Sequence, residues 1–291
     1  MNKSALPVVD CHFHVFDADV AAPSARYRPP YAAELPDWHR LVATLGDPYG
    51  VVVQTSFLGT DNAALLAALR AMPARLRGVA VVDPGVTDDA LRELHDAGVR
   101  GIRLNLYRDP DWQRIATAPW RALFARIAGL GWHVELHTDN GDGGTVLAQL
   151  DAGLGDTSVP VVLDHFGRPG AAGTADAIFD VAAAVRERRQ VWVKFSAPYR
   201  LVVPGDWRLL AQKWLDILGA DRLLWGSDWP WTNHEGPARA EECAALSAWP
   251  DTSLPGIGEM PREALADAFR WRNAAALYGF QPGIHVPLRS A

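Results

Sequence analysis

Eight times along the 291 residues, a short β-branched run ends in polar residues and gives way to an amphipathic stretch rich in Ala, Leu and Arg. The runs are PVVDCHFH from Pro7, GVVVQTSF from Gly50, LRGVAVVD from Leu76, VRGIRLNL from Val99, WHVELHT from Trp132, VPVVLDHF from Val159, VWVKFS from Val191 and RLLWGSD from Arg222. Their starts lie a little over twenty to just over forty residues apart, room for a strand, a helix and two loops. Between them, segments such as DNAALLAALRAM, DDALRELHDAG, ADAIFDVAAAVRER and DWRLLAQKWLDILG carry Leu, Ala or Val at three- and four-residue spacing. That pattern gives a helix one apolar face. Several of these segments follow Thr or Asp and end in Gly, residues suited to the unpaired amides and positive φ of helix ends. Alternating strands and helices predict a parallel sheet covered by helices. Eight units predict an α/β fold, a single distorted (β/α)8 TIM barrel, with residues 1–291 as one domain. An open doubly wound sheet would carry a Gly-rich phosphate turn after its first strand; here that strand ends in His-Phe-His. The Pro- and aromatic-rich stretch from Phe16 to Gly46 (ARYRPPYAAELPDW) reads as a long loop over the barrel mouth.

Bulk properties narrow the function. A net charge of −6 speaks against a nucleic-acid partner, since phosphate binding needs a basic face. No apolar run approaches the roughly 18 residues that span a bilayer. The segment MNKSALPVVD shows neither the apolar block nor the small-residue cleavage site of a secretory signal. Only Cys11 and Cys243 occur, so a disulfide framework is not expected. A cytoplasmic location follows from these features as an expectation. Among 28 basic residues only Lys3, Lys194 and Lys213 are lysines.

In a barrel of this kind chemistry sits where the strands end. The first strand ends in His12 and His14, the fifth in Glu135 and His137, the sixth in Asp164 and His165, the eighth in Asp228. Residues i and i+2 of a strand share a face, so His12 and His14 are expected to point inward together. Any one of these residues alone reads more simply as a hydrogen-bonded rim residue, and Asp228 within WGSDWP as a cap. Four such features together, each at the right strand end in order, are far harder to obtain by accident. His39, His95, His133 and His234 lack such company and read as structural.

The motifs DCHFHVFD, ELHTDN, LDHFGRP, KFSAPYR and WGSDWPWT resemble the amidohydrolase superfamily, and within it the amidohydrolase-related group that includes 2-pyrone-4,6-dicarboxylate lactonase and sugar lactonases. The similarity runs from Asp10 to about Tyr278. It implies an active centre of His12, His14, His165 and Asp228. It also implies substrate carboxylates held by Tyr27, Arg108, Arg168, Tyr199 and Arg200, with Arg103 an alternative to Arg108 in the alignment and His137 beside them. Many members bridge two metals with a carbamylated lysine on strand 4; here that strand offers Arg103 and Asn105, and Lys194 lies on strand 7, so a bridged pair is not expected. A single Zn²⁺ on His12, His14, His137 and Asp228 is chemically reasonable, whereas the lactonase branch is associated with hydrolysis that needs no metal. Both readings stay open, with no essential cofactor slightly preferred.

Arginines crowding one mouth of an acidic protein suggest a small anionic substrate, because guanidinium grips carboxylates with two prongs. For any single Arg, pairing with a rim acid such as Asp109 or Asp164 is the simpler account. Trp225, Trp229 and Trp231 bracket Asp228 and suit a sugar face equally well. The expected activity is hydrolysis of a carboxylated or sugar-acid lactone. Asp228 is the general base, and the histidines stabilise the oxygen that gains charge, directly or through one metal ion. The rivals are a zinc-dependent decarboxylase of an aromatic or muconate-type acid and a binding protein without chemistry. The lactone itself and the number of subunits in any homo-oligomer are not readable from the sequence.

Overall fold

A computed structural model of the chain describes residues 7–23, 25–202, 207–251 and 261–281. Eight strands pair in parallel and in chain order: β1 Pro7–Phe13, β2 Asp47–Val53, β3 Leu76–Ala80, β4 Val99–Asn105, β5 His133–His137, β6 Val161–Leu163, β7 Val191–Phe195 and β8 Leu223–Trp225. The ends of the sheet meet just beyond β8. There the Asp228 amide donates to the His12 carbonyl at 2.8 Å and the His14 amide to the Trp229 carbonyl at 2.9 Å. The nearly closed sheet with helices between its strands is the expected (β/α)8 barrel, and its seam lies at His12 and Asp228.

The helices are α1 Leu35–Val42, α2 Ala63–Ala71, α3 Asp88–Asp96, α4 Ala118–Gly129, α5 Gly143–Leu154, α6 Ala177–Val185, α7 Trp207–Leu218, α8 Ala238–Ser247, α9 Arg262–Asp267 and α10 Asn273–Tyr278. Thr87 Oγ1 caps α3 by accepting from the Ala90 amide, and the Asp176 side chain caps α6 at Ile178. α1 corrects the reading of Phe16–Gly46 as one loop. Pro36 occupies its first turn, where the missing N–H costs nothing, and Trp38 and Val42, four residues apart, bury against the barrel. β6 and β8 are three residues each, shorter than their apolar runs, because the chain leaves the sheet early to build the mouth.

Two apolar clusters place the site. Val9, Cys11, Val51, Val53, Val79, Val162, Trp192 and Leu224 fill the barrel interior, closed below by Trp271, Tyr278 and Phe280. A larger cluster packs the outer strand faces, including Phe13, Val52, Ile102 and Val134, against the helices. The polar groups of the strand ends lie above the inner cluster, whereas His133, two residues before Glu135, is buried low in the barrel with its ring 5.3 Å from that of Tyr278. Among the described residues no helix is long and apolar enough to cross a membrane.

Candidate active site

β1 and β2 run in register as far as Asp10 opposite Gly50, then slip, so that Phe13 lies opposite Val52. Three steps on one strand against two on its neighbour make a bulge, which re-aims side chains locally. Cys11 joins the inner cluster, and His12 faces the mouth as well. Asp10 turns outward instead. Its carboxylate accepts from the His12 amide (3.1 Å), the Ser227 amide (2.8 Å), Ser227 Oγ (2.5 Å) and Trp38 Nε1 (2.8 Å). Burial pushes its pKa up to about 6 against the pull of those donors. This clasp ties the backbone at His12 to that of Ser227, next to Asp228. Gly226 is required at the same junction, since a Cβ there would sit 2.8 Å from His12 Cβ.

Asp228 is the hub. Its Oδ1 faces Nε2 of His12 at 3.5 Å, of His14 at 3.7 Å and of His165 at 3.9 Å. Its Oδ2 accepts from Tyr199 Oη at 2.5 Å and Arg200 Nε at 2.8 Å. Burial opposes ionisation, but the Arg200 guanidinium and the imidazoles outweigh it and hold the carboxyl well below its ordinary range. Burial lowers the pKa of His12 to about 3 and takes His165 well below its usual value, so both rings are neutral. Asp228 Oδ1 and His12 Nε2 are buried and make no hydrogen bond. Two such orphans side by side mark where a reactant or an ion belongs. Positive φ values at His165 (51°), Arg168 (50°), Ala197 (48°) and Asp228 (56°) show backbone strain gathered at these strand ends.

Beneath the histidines lies a buried charged layer of Lys194, Glu135, Asp164 and Arg103, of which sequence reasoning left Lys194 out of the site. Lys194 Nζ donates to Glu135 Oε2 and, at 3.2 Å, to His12 Nδ1, and stands 3.5 Å from Asp164 Oδ1. Arg103 donates through Nε and Nη2 to Asp164 Oδ2, both at 3.0 Å, and lies 3.5 Å from Glu135 Oε1. Once Glu135 is ionised, two cations and two carboxylates balance in this layer. Burial raises the Asp164 carboxyl, yet His12, Lys194 and Arg103 together hold it well below the usual range. Burial and the Asp164 charge push Glu135 up to about 8. Strand alternation carried the signal for Lys194: Trp192 is in the inner cluster, so Lys194 and Ser196 share its face.

The arginines divide. Arg103, expected as an alternative grip on substrate, is corrected: its guanidinium points into the charged layer and is held by Asp164. Arg200 and Tyr199 engage Asp228, and Arg200 Nη2 also donates to the Thr232 carbonyl. Arg108 is exposed, with its guanidinium 5.2 Å from the Tyr107 ring centroid. Tyr27 stays at the rim, its hydroxyl 3.4 Å from Glu235 Oε1. Arg168 differs from the others. It is buried, donates to Asn140 Oδ1 (3.0 Å), lies 2.9 Å from His137 Nε2 and packs over Tyr107, with no carboxylate of the described residues in ion-pair contact.

The expected zinc set of His12, His14, His137 and Asp228 also needs correction. Arg103 Nη2 is 2.7 Å from His137 Nδ1 and Arg168 Nη1 faces Nε2, so both ring nitrogens meet cations that disfavour a metal there. Burial and those arginines hold His137 well below its usual pKa. His165 stands where His137 was expected: ligand atoms of His12, His165 and Asp228 lie within 4.8 Å of one another. That set includes both orphaned atoms, and imidazole with carboxylate is a zinc-type donor set, so a divalent ion fits these three residues. Two further groups, His137–Asp164–His165 and His12–Glu135–Asp164, are as compact but share their carboxylates with the charged layer.

Known proteins are similar to this chain in sequence and in fold. The Amidohydrolase family matches residues 9–280. A 2-pyrone-4,6-dicarboxylate hydrolase of Comamonas testosteroni is 35% identical over 246 residues, 77% of this chain and 77% of that protein. A 4-sulfomuconolactone hydrolase of Rhizobium radiobacter is 31% identical over 238 residues, 79% of this chain and 78% of its own. A crystal structure from Acinetobacter baumannii with citric acid bound, described as a "probable 2-pyrone-4,6-dicarboxylic acid hydrolase", superposes with a TM-score of 0.82 at 30% identity, covering 94% of this chain and 99% of that one. With a match that spans the barrel from its first strand to its last helix, the chain belongs to the amidohydrolase family.

Proposed function

We propose that the protein hydrolyses a small anionic lactone, a cyclic ester carrying carboxylate or sulfonate groups like those named for its relatives. The observation that carries this reading is the orphaned pair at the mouth: an ionised carboxylate oxygen and an imidazole nitrogen, 3.5 Å apart, buried and unpartnered. Water addition to an ester needs a base for the water and a donor for the carbonyl oxygen. Asp228 takes the water proton at Oδ1 and later returns it to the leaving alkoxide. His12 and His165 support the oxygen that gains charge. Tyr199 and Arg200 fix the carboxylate by its other oxygen. A base held so far below its ordinary pKa is weak in the free protein. An anionic substrate that seats on Arg168 brings negative charge and displaces water, and both raise Asp228's basicity. A divalent ion, where bound, would be held by His12, His165 and Asp228 and would polarise the ester carbonyl.

Acid release measured on pyrone dicarboxylates, sulfonated muconolactones and neutral aldonolactones, with and without chelator, tests the activity. Turnover of an anionic lactone is the expected result; no turnover on any of them sinks the reading. Arg168→Met is expected to raise KM for the anionic lactone roughly ten- to a hundredfold, the loss of a charge-assisted contact of about 1.5–3 kcal/mol. KM for a neutral lactone should hardly move. An equal rise for both would remove Arg168 from anion binding.

A further inference from the structure

The two histidines of the first strand look equivalent, since both present Nε2 to Asp228 Oδ1. Their far sides are not. We propose that His12 and His14 are held in opposite tautomers and serve different reactants: His12 donates from Nε2 to the lactone carbonyl oxygen, while His14 accepts at Nε2 from the attacking water. This rests on the hydrolytic reading above.

His14 Nδ1 lies 2.7 Å from the Val53 carbonyl oxygen. A carbonyl only accepts, so a ring proton sits on Nδ1, and a ring that holds this one proton carries a lone pair on Nε2. That lone pair faces Asp228 Oδ1 at 3.7 Å. Two acceptors turned on each other are reconciled by a molecule with two donors between them, and water has two. The water that Asp228 must deprotonate is thereby aimed with its second proton on His14.

On His12 the logic inverts. An ammonium only donates, so Nδ1, 3.2 Å from Lys194 Nζ, accepts, and with no ion on the ring its proton sits on Nε2. Asp164 Oδ1 is also 3.2 Å from Nδ1 but makes no hydrogen bond. Glu135 pins the ammonium from its other side, so Lys194 is a positioning residue that dictates the face His12 shows to substrate. His165 is unbiased, because its Nδ1 meets Ser196 Oγ at 2.8 Å, a hydroxyl that donates or accepts.

The step balances. The water oxygen bonds to the ester carbon as one water proton passes to Asp228 Oδ1 and the other stays hydrogen-bonded to His14 Nε2. The carbonyl π pair moves onto oxygen, which His12 Nε2–H supports. The pair returns as the ring C–O bond breaks, and the alkoxide takes the proton from Asp228. The new carboxylic acid releases its proton to solvent.

¹⁵N NMR of the full-length protein labelled at histidine, with His12→Gln and His14→Gln used to assign the rings, reads the tautomers directly. The expected result is a proton on Nε2 of His12 and on Nδ1 of His14. Lys194→Arg should preserve the His12 pattern, and Lys194→Met should move its proton to Nδ1, toward Asp164, without changing His14. The wild-type spectrum alone decides the case should Lys194→Met not fold. Lactone turnover with the same nitrogen protonated in both rings overturns this assignment alone. Opposite tautomers with no turnover on any lactone overturn the hydrolytic reading beneath it.

Discussion

Asp228→Asn is expected to lower kcat by about three orders of magnitude, within the range that a positioned general base supplies. The substitution conserves shape. The amide oxygen can still accept from Tyr199 and Arg200, while the amide nitrogen replaces the unpartnered Oδ1 among the three imidazoles. The base is removed and the mouth is kept, so the circular dichroism spectrum should be unchanged and the loss should fall on kcat. A variant keeping a tenth or more of the wild-type kcat would end the role given to this carboxylate. The pH profile of the wild type supplies a second reading. kcat/KM reports the free protein, in which Arg200 keeps Asp228 ionised well below the ordinary 3.8. Its acid limb should therefore lie below that value. The limb in kcat should lie higher, because the bound anion makes the base stronger.

The fold was legible because barrel strands and crossover helices repeat two periodicities strongly, and eight repeats leave few alternatives. The ends of strands were legible too, as a barrel places them together whatever the sequence does between. The bulge was not. Alternation alone puts Asp10, His12 and His14 on one face; the slip between Asp10 and Phe13 sends Asp10 outward to Trp38 and Ser227. No residue pattern in DCHFHVFD announces it, because the slip is fixed by pairing with β2. The destinations of the arginines were equally hidden. Arg103 and Arg168 have the same chemistry, but Asp164 reaches only the first. Composition shows how many cations crowd the mouth; only the packed structure shows that Arg168 is buried there with no carboxylate of the described residues in ion-pair contact. α1 was missed for a local reason, Pro36 being read as a loop residue when it sits in the first turn of a helix.

The same layer that orients His12 should dominate stability. Lys194 is fully buried between Glu135, Asp164 and His12, and Lys194→Met leaves two carboxylates facing one guanidinium. Removing one partner of a buried ion pair costs about 3–5 kcal/mol, because the remaining charge stays desolvated. A fall of that size in unfolding free energy, measured from denaturant midpoints, is expected above pH 8, where Glu135 of the wild type is ionised. A change under about 1 kcal/mol would show that Lys194 does not balance this layer. The double variant Lys194→Met/Glu135→Gln should recover a substantial part of the loss, since it removes the stranded anion with its cation. The pH dependence follows from Glu135. Its pKa is already raised to about 8 from an ordinary 4.5, and losing the ammonium raises it further. A carboxyl raised in the folded state binds its proton more tightly there than in the unfolded chain. It therefore favours folding below 4.5 and loses that contribution as pH climbs through the folded pKa. The single variant should accordingly be least stable, relative to wild type, on the alkaline side and should close the gap on acidification. The double variant, with no carboxyl at position 135, should show no such slope from this group. A deficit independent of pH would mean that the lost packing of the lysine stem, and not the stranded charge, is what the fold feels.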